Sequence, residues 1–412
     1  MDCGEQATVR KAMVWGWRMK TTRRIVVMTN AHPTGVTENF ARQIAVGFAA
    51  CGFEPHIVNI NQDLDRQFAG IGTLLSIDEL FIVGALPLKV KLGDVYLWEA
   101  AADMGKRVTY YVIDSFHNDL NRVPEVKAYI KKSREKGALN IVFADEVTPI
   151  YMDIKAPGMG FGAFAAPPIQ EEPMFPDRLL VFGGVGNELA TIKDTLKETV
   201  AEVRQTIDLK DDVELFYPEK SFSESHWNVL SHVMNINDEY QRLLEEPLLL
   251  DAYCKLDAAM KRHRRLRVMS ALKGKPVDIA GTGWFEHFGE VDNWRYVGQQ
   301  PHAALGVMVQ HYAGLVNFDA NWDSSPHDRM CTALMMNRPV MSNLNEESVN
   351  PSVANYEHGQ GDESFEKQIH QCVERVMDLR ENISYKIYSC RVDHLTWTAR
   401  VSDFLSERDR CE

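Results

Sequence analysis

Cysteine is sparse in this 412-residue chain, and none of it is paired. The seven cysteines stand at 3, 51, 254, 331, 372, 390 and 411, with no Cys-x-x-Cys spacing. That excludes a disulfide framework and a zinc ribbon, and it fits reduced thiols in the cytoplasm. No stretch approaches the roughly 20 apolar residues that span a bilayer, so no transmembrane segment is expected. The first two dozen residues hold Arg10, Lys11, Lys20, Arg23 and Arg24 without an apolar run of signal-peptide length. Residues 1–23 therefore read as a flexible leader rather than an export signal. Excess positive charge is also missing: the formal net charge is -13, which argues against nucleic acid as a partner. The histidines at 226, 232 and 263 lack thiolate partners or short ligand spacing, and Asp319 and Asp323 form no compact Asp-x-Asp element. No metal is expected. Short-period repeats and low-complexity tracts are absent as well.

What remains is a chain of ordinary apolar and charged content, long enough for two hydrophobic cores. Short, unbroken apolar runs recur along it: "IVVM" (25–28), "HIVNI" (56–60), "LFIVG" (80–84), "VTYYVI" (108–113) and "NIVFA" (140–144). Runs of this kind suit strands buried on both faces of a parallel sheet. After the first, "TNAHPTGVTEN" leads into a helix whose Phe40, Ile44 and Phe48 recur every fourth residue. A Pro/Gly-rich passage at 156–176 reads as a linker. A second series follows: "RLLVFGG" (178–184), a helical stretch to about 272, then "PVDIAG" (276–281), "WRYVG" (294–298), "GLVNF" (314–318) and "RPVMSN" (338–343). The expectation is an α/β protein with two Rossmann-like domains facing across a cleft, 24–172 on the acceptor side and 173–395 binding the nucleotide. Residues 396–412 form a last helix, with Trp397, Val401 and Phe404 at helical spacing, that crosses back to the first domain.

Ligands of such sheets bind outside the carboxyl ends of the strands. Ser325, His327, Asp328 and Arg329 follow "GLVNF" and precede an apolar helix. There, backbone N–H groups, the helix dipole and the basic side chains suit a phosphate, although the same residues also suit a plain helix cap. Gly281, Gly283 and Trp284 in "DIAGTGW" allow close approach to a backbone, and Tyr296 and Gln299 lie in "YVGQQP". In the first half, His32 follows the first strand and Asp114 and His117 follow the fourth. His32 is a candidate base on an acceptor hydroxyl, or else a loop histidine bonded to backbone, whereas Asp114 and His117 form a pair suited to holding the acceptor or serving as base, or else a solvated turn stabilised by Asp114. The basic run "KRHRRLR" (261–267) reads as a solvated helix face. "FGGVGNE" (182–188) lacks the last glycine of a dinucleotide fingerprint.

The ordered series "RLRVMSALKGKPVDIAGTGW", "YVGQQPHAALGVMVQHYAGLVNF", "SSPHDRMCTALMMNRPVMSN" (324–343) and "HLTWTAR" (394–400) resembles the carboxyl-terminal domain of bacterial GT-B glycosyltransferases of the group 1, CgeB-like type. The resemblance covers about residues 265–400. It implies transfer of a sugar from a nucleoside-diphosphate sugar, a UDP-sugar being the first candidate, to an acceptor hydroxyl on a protein, glycan or small molecule, without a metal or other cofactor. The nucleobase would lie near Tyr296 to Gln299, and the diphosphate near Gly283 and Ser325 to Arg329. One departure stands out: Ser324 and Thr332 occupy the places where many retaining members carry two glutamates. A sugar-nucleotide epimerase of the same fold and a non-catalytic nucleotide-sugar-binding protein are the alternatives.

Overall fold

A computed structural model of the chain describes residues 22–71, 74–113, 116–144, 156, 158–163, 173–185, 196–209, 234–236, 241–318, 327–343, 352–356, 362–382 and 393–411. The first sheet has five strands: β1 (Arg23–Thr29), β2 (Phe53–Asn59), β3 (Glu79–Val83), β4 (Arg107–Val112) and β5 (Leu139–Phe143). They lie in the order β2-β1-β3-β4-β5, every pair parallel. Ile25 to Met28 are fully buried, because helices cover both faces of the strand. Helix α1 (Val36–Ala50) starts at Gly35, whose φ of 70° turns the chain sharply off β1. Phe40, Ile44 and Phe48 on its inner face join Ile25, Val27 and Phe81 in one core. Helix α2 (Phe116–Arg122) follows β4.

The second sheet is built from β6 (Phe175–Phe182), β7 (Val277–Ala280), β8 (Trp294–Tyr296), β9 (Tyr312–Val316), β10 (Val340–Ser342) and β11 (Val353–Asn355). Its order is β8-β7-β6-β9-β10-β11, again all parallel. Counted within the unit, this is the doubly wound dinucleotide-fold order, which reverses between β6 and β9. In the first sheet the reversal falls between β1 and β3. Asp278 of β7 is buried and tied to Arg178 Nε (2.6 Å), Arg295 Nη2 (2.6 Å) and Tyr312 Oη (2.9 Å), which joins four strands through one carboxylate. The arrangement expected from the sequence, two Rossmann-like domains facing across a cleft, is the one the chain adopts.

Helix α3 (Pro247–Ala271) belongs to both cores. Leu249, Tyr253, Leu256 and Met260 pack with the first sheet's residues, whereas Val268 and Met269 pack with the second's. The basic run at its end is consequently not a solvated face. Lys261 and Arg264 are buried, Lys261 pairs with Asp257 at 2.7 Å, and Arg267 lies 3.9 Å from the centre of the Phe365 ring. A helix wedged between two cores has little free surface for charge. Four shorter elements complete the positioning frame: α4 (Trp284–Phe288), α5 (Asp328–Met335), α6 (Asp362–Asn382) and α7 (Trp397–Cys411). Trp397, Val401 and Phe404 of α7 sit in the same core as α1. Gly47 permits this contact, since a Cβ there would lie 2.7 Å from Val401 Cγ2. No helix among the described residues is long and apolar enough to cross a membrane.

Candidate functional site

A cavity of about 730 Å³ opens where the carboxyl ends of the two sheets face each other. Its first wall holds Asn30 and His32 after β1, Gly84 after β3, Ile113 after β4, and Asp119 and Arg122 of α2. Opposite lie Phe182 to Gly184 at the end of β6, Ala280 to Thr282 at the end of β7, Gln299, Gln300 and His302 beyond β8, and His327 to Arg329 at the start of α5, with Arg265 of α3. The cavity thus spans both points where strand order reverses, the places at which doubly wound sheets leave a crevice for ligand.

Close backbone packing makes the second wall. A Cβ on Gly281 would stand 2.1 Å from the Gly183 carbonyl oxygen, so no other residue fits between β6 and β7 at that height. The Trp284 indole donates to that same carbonyl at 2.7 Å. Arg329 Nη1 donates to the Phe182 carbonyl (2.9 Å) and Arg265 Nη1 to the Gly184 carbonyl (3.1 Å). Both guanidinium groups are therefore aimed at the turn after β6. Arg329 Nε is buried and has no hydrogen-bond partner among the described residues, a state that ordinarily costs about 1–3 kcal/mol.

Asp328 is 2% exposed and stands between two imidazoles. His302 Nε2 lies 2.5 Å from Oδ2, while His327 Nδ1 pairs with Oδ1. Burial alone would raise the pKa of Asp328; the charge of His327 and His302 and their hydrogen bonds outweigh it and hold the carboxyl well below the usual range. The carboxylate occupies the first turn of α5, so it already compensates the helix dipole.

On the first wall His32 faces solvent and contacts Thr34 Oγ1 through Nδ1 at 2.9 Å. Its backbone N–H donates to the Glu38 carboxylate (3.2 Å). Partial burial lowers its pKa; Glu38 offsets some of this and nearby His302 adds to it. Asp119 is held by the Tyr110 hydroxyl at 2.5 Å. Between these polar groups the wall is apolar, formed by Val36, Phe40, Leu86, Ile113 and Phe161.

The candidate residues divide clearly. His32, Gly281, Gln299, His327, Asp328 and Arg329 line the cavity. Asp114 and Ser325 lie outside the described residues. His117 does not reach the cavity: it is 9% exposed, its Nε2 pairs with Asp257 at 3.1 Å, and its ring packs on Tyr253. Its helix turns it toward α3, which corrects its reading as a base. Trp284 is 1% exposed and serves the Gly183 carbonyl, so it is not a stacking surface. Gly283, at φ 84°, caps α4. Tyr296 points back, with its hydroxyl donating to the Gly289 carbonyl (2.8 Å). Sequence reasoning missed His302, Asn39 and Asp119, and set aside Arg265 as part of the basic run. The only signal for His302 was its place two residues after the polar pair Gln299-Gln300. Among the described residues no group of His, Cys, Asp and Glu side chains is placed to hold a metal ion.

No protein-family model and no curated protein sequence matches the chain. It overlays on several solved structures. An alpha-glucosyltransferase in complex with UDP matches at 11% identity, over 95% of this chain and 99% of that one, with a TM-score of 0.45. The lipopolysaccharide outer core galactosyltransferase WaaB in its apo form matches at 10% identity, over 93% and 99%, with 0.44. A mutant of the Thermobaculum terrenum O-GlcNAc transferase matches at 12% identity, over 94% and 67%, with 0.44. Likeness at this level concerns the fold alone, and the strand orders and registers above establish that fold independently. The narrower resemblance to CgeB-like proteins rests on the quoted residues.

Proposed function

We propose that this chain is a glycosyltransferase that moves a sugar from a nucleoside-diphosphate sugar to an acceptor hydroxyl. The observation that carries the reading is the pair of guanidinium groups, Arg329 and Arg265, lining one wall of a cavity where His32 stands on the other. The diphosphate would lie against Arg329 and Arg265, over the turn after β6 that Gly281 keeps open. The volume suits a ligand of nucleotide size. The acceptor would enter along the apolar first wall, near His32.

In the proposed reaction an acceptor oxygen forms a bond to the anomeric carbon. The bond from that carbon to the phosphate oxygen breaks, and its electron pair leaves with the nucleoside diphosphate. His32 takes the acceptor proton. Nδ1 accepts the Thr34 backbone N–H (3.2 Å), which makes it the basic nitrogen of the neutral ring, and the lowered pKa keeps the ring neutral at physiological pH. Arg329, Arg265 and His327 meet the charge that grows on the leaving group, a task these side chains perform without a metal ion.

The test is a melting-temperature panel of nucleoside diphosphates and nucleotide sugars, with UDP and UDP-sugars first. A ligand at about 100 times its Kd stabilises the native state by about 2.7 kcal/mol. A response selective for one base, followed by release of that diphosphate in the presence of EDTA, supports the reading. Absence of any nucleotide response overturns it.

A further inference from the structure

The wall of the cavity opposite Arg329 carries a charge that the donor does not use. Helix α2 places both Asp119 and Arg122 on that wall. At this spacing an aspartate and an arginine on one helix face ordinarily pair. Here the buried Tyr110 hydroxyl, on β4, donates to Asp119 Oδ2 at 2.5 Å instead and draws the carboxylate toward the sheet. Arg122 is exposed, lines the cavity, and makes no ion pair or hydrogen bond among the described residues.

Other carboxylates on the neighbouring elements have cations or donors of their own. On α3, which packs against α2, Asp251 pairs with Lys255 (3.4 Å), and Asp257 pairs with Lys261 (2.7 Å) and His117 (3.1 Å). Glu38 of α1 accepts the His32 backbone N–H (3.2 Å). Across the cleft, Asp328 is matched by His302 and His327, and the two phosphates of a donor would be met by Arg329 and Arg265. Arg122 is therefore surplus to the donor, and it stands on the side where the acceptor would enter. Between its polar groups that wall is apolar, through Phe40, Leu86, Ile113 and Val123. A lone guanidinium beside apolar surface suits a ligand with an anionic head and an apolar body, because its planar fork takes a carboxylate or phosphate through two parallel N–H donors.

We infer that the acceptor is a small anionic amphiphile: a hydroxyl compound whose carboxylate or phosphate is held by Arg122 while its apolar body lies along Phe40, Leu86 and Ile113. This rests on the donor site proposed above and names the class of acceptor that site would serve. Arg122 selects the acceptor and takes no part in the bonds that form and break.

Titration calorimetry tests the inference, with the donor seat first filled by saturating UDP or the diphosphate selected by the panel. The probes are phenyl phosphate and phenylacetate, with benzyl alcohol as the neutral counterpart. Wild type should bind at least one anion about tenfold or more tightly than benzyl alcohol, and the tighter of the two anions identifies the head group as phosphate or carboxylate. Arg122→Gln should weaken that anion about 10- to 100-fold while changing benzyl alcohol and the diphosphate by less than about twofold. Arg122→Lys, which keeps the charge without the fork, should fall between the two. Because Arg122 is exposed at the end of α2, both variants should melt within about 2 °C of the wild type. Equal affinity for the anion in wild type and Arg122→Gln overturns the inference, as does a wild type that binds neither anion better than benzyl alcohol. If no nucleoside diphosphate binds the wild type, the donor reading fails and this inference with it, a result separable from the others because it appears before any probe is added.

Discussion

Gly281→Ala probes the closest backbone approach in the cavity. The new methyl would stand 2.1 Å from the Gly183 carbonyl oxygen, where ordinary contact begins at 3.4 Å, so the ends of β6 and β7 must separate by about 1.3 Å. Neither atom belongs to a flexible side chain that could swing aside. Gly183 also donates its N–H to the Ala280 carbonyl (2.8 Å) and accepts the Trp284 indole at 2.7 Å. Overpacking of this kind costs about 1–3 kcal/mol, and loss of the indole's buried partner adds about 1–3 kcal/mol. A loss near 4 kcal/mol corresponds to a fall in melting temperature on the order of 10 °C for a unit of this size. Trp284→Phe removes the donor without moving the backbone and should cost less, about 1–3 kcal/mol. Calorimetry on the three proteins decides the matter. If Gly281→Ala melts within about 2 °C of the wild type, the strand ends are further apart than described, and the floor of the proposed diphosphate seat is wrong.

Arg329→Met keeps the apolar stem and removes the charge, so nucleoside diphosphate binding by titration calorimetry should weaken about 10- to 100-fold, whereas the matching nucleoside should change less than about twofold; equal losses for both would refute a phosphate role. The lowered pKa of His32 means that the unfolded chain protonates first: its contribution to stability is complete above about pH 6.5 and declines as pH falls through that value toward the folded pKa. As a base, it should give transfer an acid limb below pH 6.5 that His32→Gln abolishes together with most of the rate, and a pH profile identical in both proteins would exclude it. Burial opposes ionisation of Asp278, but hydrogen bonds from Arg295, Arg178 and Tyr312 prevail and depress its pKa below 3.8. Its stabilisation is therefore present above about pH 3.8 and lost as pH falls through the folded value; Asp278→Asn should cost about 3 kcal/mol at pH 7 by urea unfolding, with the gap to wild type narrowing in acid.

The fold was legible because each strand advertises itself locally. A run such as Ile25 to Met28 is buried on both faces, and the four-residue spacing of Phe40, Ile44 and Phe48 is visible in a dozen letters. Residues directly after such strands, His32, Gly281, Arg329 and Gln299, could be placed at the cavity by the same local logic. It failed where the chain turns within a residue or two. Gly283 adopts a positive φ and sends Trp284 inward, and one turn of α2 carries His117 to α3 instead of the cleft. It failed again at α3, whose apolar residues are evident but serve two different cores, so that the sequence reads as one helix of one domain and its arginines as a wet face. The bond from Asn39 to His302 has no local signature at all, since the partners stand 263 residues apart. A polar residue inside an amphipathic helix looks the same whether water or another domain satisfies it. Only burial separates the cases, and at 6% exposure Asn39 could not remain on α1 without a partner from across the cleft. The contact that closes the two halves is thus the part of the site that depends most on the fold and least on any motif.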